Sequence, residues 1–100
     1  MNDQIRQSID SLIDTWNMLM NDVVDACMSG ESFENTDTWN IIQSDISKVM
    51  SMNNVPNFKI TLNGTYETCD GGCLEAAFTV IWSDNTGNIQ TYPVQVESEY

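Results

Sequence analysis

Residues 57–69 read NFKITLNGTYETC, and here the spacing of the apolar side chains changes from a helical period to a period of two. The apolar residues of this stretch share one parity: Phe58, Ile60, Leu62 and Tyr66. Residues 73–83 and 89–97 alternate in the same way. The pattern predicts a three-stranded antiparallel sheet over about 57–69, 73–83 and 89–97, each strand having one apolar face. Pro93 has no N–H to donate, which places the third strand at a sheet edge.

The position of the first hairpin turn is ambiguous, because Asn63-Gly64 is a typical turn dipeptide. A two-residue turn there would put Glu67 opposite Ile60 on the apolar face. We therefore predict that the strand continues through Gly64 and that the turn lies at residues 70–72. The cross-strand pairs expected in this register are Leu62–Val80, Ile60–Trp82, Gly64–Phe78, Glu67–Glu75 and Cys69–Cys73.

Two amphipathic helices are predicted before the sheet. Apolar side chains recur in steps of three and four from Ile5 to Ala26, which indicates a helix over about 3–28. The same spacing predicts a second helix over about 38–52, with Thr36 or Asp37 as its N-cap. The expected fold is one α+β domain over residues 1–100, in the order ααβββ, with both helices on one sheet face. The strand residues expected in the core are Phe58, Ile60, Leu62, Phe78, Val80, Trp82 and Val94.

Charge is the most unusual property of the composition. Fifteen Asp and Glu face three Lys and Arg, giving a formal net charge of −12, and there is no histidine. So acidic a chain is unsuited to direct contact with nucleic acid or an anionic membrane, which require basic surfaces. The absence of histidine excludes Ser-His and Cys-His catalysis and His-ligated metals. We expect no enzymatic activity, no cofactor and no metal site.

The cysteines, the loop after the second strand and the N-terminus give three further predictions. Cys69 and Cys73 are predicted to be free thiols, a disulfide pair or part of a metal site, and Cys27 is predicted to be a core residue. The loop 84–88 lacks the Gly and Glu positions of an EF-hand. The N-terminus has no basic region before an apolar run, so a cytoplasmic location is expected.

Acidic residues follow the side of the first predicted helix opposite its apolar stripe. A continuous helix from Asp3 to Asp25 would be about 33 Å long. Repeated negative charge at this scale is typical of a duplex backbone, which carries about one charge per 1.7 Å. The candidate partner-binding carboxylates are Asp3, Asp10, Asp14, Asp22, Asp25, Glu31, Glu34, Glu67 and Glu75.

In size, charge and lack of catalytic motifs, the chain resembles small acidic phage-encoded inhibitors of host defence, such as anti-CRISPR proteins and other DNA mimics. The resemblance includes no sequence motif and transfers no residue roles. It implies a non-enzymatic inhibitor of a protein with a basic nucleic-acid-binding groove, such as a CRISPR effector subunit in the host cytoplasm. The alternative is a toxin-immunity or adaptor protein that binds through the outer sheet face, at Ala77, Ile81 and Ile89. A monomer or a homodimer is expected, and the apolar stripe of the first helix is one possible dimer seam.

Overall fold

A three-stranded antiparallel sheet forms one layer of the protein in a computed structural model, which describes residues 2–68 and 73–98. The elements in chain order are α1 (Asn2–Met20), α2 (Val24–Met28), a 3₁₀ turn (Phe33–Asn35), α3 (Asp37–Met52), β1 (Phe58–Thr68), β2 (Cys73–Ser83) and β3 (Ile89–Glu97). The strand order is β1-β2-β3, and α1 and α3 pack against one face of the sheet. The predicted ααβββ fold is confirmed.

The first helix ends at Met20 instead of continuing to residue 28. The backbone N–H groups of residues 21–23 donate to carbonyls three positions earlier, at Met18, Leu19 and Met20. A regular helix would use the Leu19 carbonyl for residue 23. Here Thr38 Oγ1 of α3 donates to the Leu19 carbonyl at 3.1 Å, so an acceptor of the helical hydrogen-bond series is used by α3. The α-helix is interrupted at this turn, and α2 begins at Val24.

The second helix begins as predicted. The Thr36 side chain accepts the Trp39 N–H at 3.3 Å, which makes Thr36, and not Asp37, the N-cap of α3.

Aromatic side chains occupy the centre of the core, between the helices and the sheet. The Phe78 ring lies 6.0 Å from the Trp16 ring and 5.5 Å from the Trp39 ring, both in edge-on arrangements. Ile5 and Ile9 of α1 are also fully buried, so this part of the apolar stripe packs in the core of the chain itself. Of the predicted strand residues, Phe78, Val80, Trp82 and Val94 are buried. Those of β1, at the sheet edge, are partly buried: Phe58, Ile60 and Leu62.

A β-bulge interrupts β1. Leu62 is opposite Phe78 and Gly64 is opposite Ala77, so Asn63 is an extra residue on the β1 side. The strand continues through Gly64 as predicted, but the register differs, since Ile60 is opposite Val80 and not Trp82.

Beyond the bulge, the side chains of β1 change faces. Tyr66 is opposite Glu75 on the outer face, and Glu67 is opposite Leu74 on the helix-covered face. The predicted Glu67–Glu75 pair is therefore wrong. Gly64 is covered by an aromatic ring, but by that of Tyr66 and not of Phe78. A Cβ at Gly64 would lie only 2.8 Å from the Tyr66 hydroxyl.

Strand β3 is an edge strand, as Pro93 indicated, and α1 runs beside it. Asn17 Oδ1 accepts the backbone N–H of Glu97 at 2.9 Å, and the Tyr92 hydroxyl donates to Asp10. The Arg6 guanidinium lies 5.3 Å from the centre of the Trp82 ring. These contacts fix the orientation of α1 on the sheet and hence the direction in which its carboxylates point.

Candidate functional site

The helical layer, residues 2–52, carries most of the uncompensated charge. Between Arg6 and Lys48 the chain has eight carboxylates and no Lys or Arg: Asp10, Asp14, Asp22, Asp25, Glu31, Glu34, Asp37 and Asp45. Arg6 itself is half-buried against the Trp82 and Tyr92 rings. Among the described residues the ion pair is that of Arg6 with Asp3, at 3.9 Å. Little positive charge is therefore available to screen this layer.

The predicted row of aspartates is shorter than a continuous helix would make it. Asp3, Asp10 and Asp14 lie within about 40° of one another around α1 and span about 16 Å of its axis. Asp22 lies within the turn at residues 21–23 and Asp25 lies in α2, so neither belongs to α1. The row of aspartates on α1 therefore ends at Asp14.

Two of these carboxylates have structural partners. Asp45 accepts a hydrogen bond from Nε1 of the fully buried Trp16 at 2.9 Å. Asp10 accepts from the Tyr92 hydroxyl, and this bond raises the pKa of Tyr92 because the neutral phenol is the donor. By contrast, the exposed side chains of Asp14, Asp22 and Asp25 bond to no other residue in the described ranges. Together with the exposed Glu31, Glu34 and Asp37, these three carboxylates are available to a partner.

A groove with both polar and apolar lining lies at the turn between α1 and α2, beside the start of α3. It measures about 340 Å³. Its apolar lining includes Leu19, Val23 and Ile41, and carboxylates at its rim include Asp22 and Asp37. An Arg or Lys side chain suits such a site, because its aliphatic stem can contact the lining while its charged end meets a carboxylate.

The bulge in β1 brings two predicted partner-binding residues into one cleft. Glu31 and Glu67 both line a cleft of about 150 Å³, together with Cys27 and Phe33. Burial, and secondarily the charge of Glu31, raise the pKa of the Cys27 thiol, which keeps the thiol protonated. Cys27 also packs against the core, as predicted. Glu34 is exposed on the 3₁₀ turn.

The other cysteine and metal predictions concern the hairpin end. Cys73 is buried and opposite Thr68, while Cys69 and the residues of the predicted turn lie outside the described residues. Cys27 is a free thiol. Across residues 2–68 and 73–98, no group of three or more Cys, Asp or Glu side chains is placed to hold a metal ion.

The acidic loop after β2 is closed by its own hydrogen bonds. Asp84 accepts from the backbone N–H groups of Thr86 and Asn88 and from the Thr86 hydroxyl, at 2.7–3.0 Å. Asn2 and Gln90 donate to its other oxygen. These donors, the Thr86 side chain above all, hold the pKa of Asp84 well below its usual range. The Asp84 carboxylate organises a turn instead of facing a ligand.

The outer face of the sheet, turned away from the helices, carries charge mainly at its ends. We define it by Lys59, Thr61, Asn63 and Tyr66 of β1, Glu75, Ala77, Thr79 and Ile81 of β2, and Ile89, Thr91, Pro93, Gln95 and Glu97 of β3. Lys59 lies at one end, and Glu75 is paired with Glu97 at the other. Glu75, a predicted partner-binding residue, is thus on the opposite side of the sheet from Glu67. The alternating pattern predicted this face, but the bulge that places Tyr66 on it was missed.

No protein family, curated protein or solved structure matches the chain in comparisons of sequence and fold. Among the described residues, no helix is both long and apolar enough to cross a membrane.

Proposed function

We propose that the protein is a non-enzymatic inhibitor that occupies the basic nucleic-acid-binding site of another protein, with the helical layer in place of phosphates. The observation that carries this proposal is the run of eight carboxylates without a cation between Arg6 and Lys48. This run covers most of α1, all of α2 and the 3₁₀ turn, and the larger part of α3. A CRISPR effector subunit in the cytoplasm of an infected host is one partner with the required chemistry.

The magnitude of the charge limits how much nucleic acid the layer can imitate. A duplex carries about one charge per 1.7 Å of axis, so eight charges correspond to about 14 Å of duplex. The row from Asp3 to Asp14 spans about 16 Å of helix with three carboxylates, so its charge is less dense than that of a duplex backbone. The protein therefore replaces a short segment of backbone, although its Cα atoms extend over 45 Å.

The groove beside Leu19 gives the layer a means of distinguishing its partner from other basic proteins. Charge alone mainly accelerates encounter, whereas burial of an apolar stem slows dissociation. An arginine of the partner that enters this groove would contact Ile41 and pair with Asp22 or Asp37. Affinity is then expected to depend on both the exposed carboxylates and the apolar lining.

The test begins with capture of binding proteins from host lysate, followed by affinity measurements on the purified partner. The double variant Asp14→Asn/Asp22→Asn removes two unpartnered charges from the helical layer. We expect at least about a tenfold loss of affinity, equivalent to about 1.4 kcal/mol, mostly through slower association. Glu75→Gln/Glu97→Gln removes the same charge from the outer face and is the matched control.

Competition with nucleic acid completes the test. DNA or RNA that binds the partner should displace the inhibitor, because both occupy one site. A partner that holds the inhibitor and its nucleic acid together would contradict the proposal, as would equal losses of affinity in the two double variants.

A toxin-immunity or adaptor function is the second candidate, and the exposure of the outer face favours it. Ile89 is 67% exposed there, and Ala77 and Ile81 are only half-buried. Under this function, Ile81→Asp should abolish partner binding while Asp14→Asn/Asp22→Asn leaves it unchanged. The inhibitor proposal requires the reverse order of effects.

A further inference from the structure

We propose that the outer face of the sheet binds a second copy of this chain, forming a weak two-fold dimer with the two sheets face to face. The proposal does not rest on the proposed function, since the helical layer lies on the opposite side of the sheet. It rests on how charge is arranged on the outer face.

The middle of the outer face is uncharged in a protein with a net charge of −12. Between the charged ends, its side chains are Thr61, Asn63, Tyr66, Ala77, Thr79, Ile81, Thr91, Pro93 and Gln95. The Tyr66 phenol extends along the strand to Gly64, which adds aromatic surface to this region. Asn63 Nδ2 donates to Thr79 Oγ1 at 2.8 Å, so these two polar side chains already bond to each other. A second copy can approach such a surface without stripping water from a carboxylate.

The ends of the outer face are complementary in charge. Lys59 is opposite Ile81, and Glu75 lies six positions away on the same central strand, or about 20 Å. Consider a two-fold axis that lies between the two sheets, parallel to them and perpendicular to the strands, at the level of Phe78. It places the Lys59 end of one copy over the Glu75 end of the other. Lys59 of each copy then lies near Glu75 of the other.

The same arrangement relieves a like-charge pair. Glu75 and Glu97 are directly opposite in the β2–β3 ladder, which is unfavourable when no cation is near. Lys59 from a second copy supplies that cation. The pairing is therefore favourable at both ends of a two-fold interface, because the symmetry repeats each contact.

The size of the outer face predicts a weak dimer. Three strands about 4.8 Å apart and ten residues long cover about 14 by 34 Å, or about 500 Å² per copy. The total of about 1,000 Å² lies below the usual range of stable specific interfaces. We therefore expect a concentration-dependent equilibrium between monomer and dimer.

Long-range repulsion opposes this dimer at low salt. Each copy carries −12, whereas an exposed pair such as Lys59–Glu75 contributes little to affinity. Salt screens the repulsion between the two helical layers, which point away from the interface. The dimer should consequently become tighter as salt rises from about 50 to 200 mM, opposite to the salt dependence expected for a basic partner.

Sedimentation equilibrium of the intact protein, over a range of concentrations and salt, tests this proposal. We expect dimer to form and its dissociation constant to fall with salt. Thr79→Lys places a cation near the two-fold axis, where it faces the same lysine of the second copy. This variant should weaken the dimer at least about tenfold. Thr15→Lys makes the same change at an exposed position of α1 and should not weaken it.

A charge exchange tests the orientation of the two copies. Lys59→Glu and Glu75→Lys should each weaken the dimer, and the double variant should restore it, because the exchanged charges meet again across the two-fold axis. Circular dichroism of each variant verifies folding. A protein that remains monomeric at about 1 mM would overturn the proposal. A dimer that Thr79→Lys leaves intact, or a double variant without rescue, would also overturn it.

Discussion

The helical layer and the outer face of the sheet lie on opposite sides of one core and carry different chemistry. The helical layer has eight carboxylates and no cation between Arg6 and Lys48, while the outer face is uncharged between Lys59 and Glu75. A uniform need for solubility would distribute charge over both surfaces. The difference indicates that net charge alone is a poor description of this molecule, and that its two surfaces suit different partners.

The comparison also separates two kinds of carboxylate within the helical layer. Asp10 and Asp45 accept hydrogen bonds from Tyr92 and Trp16, so they help to hold the fold. Asp14 is exposed and bonds to no other described residue. Replacing Asp10 or Asp45 should therefore change the stability of the fold. Replacing Asp14 should change only the binding of a partner.

The largest expected effect distinguishes the two faces of β2. Phe78→Ala removes a fully buried ring that contacts Trp16 and Trp39, and it should lower the free energy of unfolding by about 3–5 kcal/mol. Ile81→Ala, on the half-buried outer face, should cost about 1 kcal/mol. Urea denaturation measures both. Equal losses would mean that the outer face is also covered in the protein under the assay conditions.

The next largest effect distinguishes carboxylates that stabilise the fold from carboxylates that are free to bind a partner. Asp45→Ala leaves the buried Trp16 N–H without its acceptor and should destabilise the fold by about 1–3 kcal/mol. Asp45→Asn keeps an acceptor and should cost less. Asp14→Asn, the control, should change stability by less than about 0.5 kcal/mol. If the three variants unfold at the same urea concentration, the carboxylates of the helical layer are not divided in this way.

The smallest expected effect is the contribution of Asp84 to the pH dependence of stability. Asp84 has an ordinary pKa of 3.8 when unfolded, and its donors lower the pKa in the folded state. Its contribution to stability is therefore fully present above about pH 4 and is lost as the pH falls toward the folded value. Thermal unfolding of the wild type should lose stability over this acidic range more steeply than Asp84→Asn. Parallel curves for the two proteins would show that the Thr86 and Asn88 bonds do not favour the ionised carboxylate.

Much of the fold followed from hydrophobic spacing, because burial of one face dictates a period of two or of 3.6. The departures depend on contacts between distant residues. The end of α1 involves a hydroxyl at Thr38, far along the chain from the Leu19 carbonyl that it binds. The bulge at Asn63 moves Glu67 away from Glu75, and only Gly64 within a strand gave a sign of it. The acidic surface was predictable from composition, whereas the end of α1 at Met20 and the groove beside Leu19 were not.

We propose that the helical layer takes the place of phosphates on a basic protein. The most direct test of this claim is the dissociation constant of the purified partner complex, measured from about 50 to 200 mM salt with wild type and Asp14→Asn/Asp22→Asn. We predict that wild-type affinity falls at least about tenfold over this range and that the double variant has a shallower salt dependence, since fewer charges are screened. An affinity that stays constant with salt, or an equal slope for the two proteins, would contradict the claim.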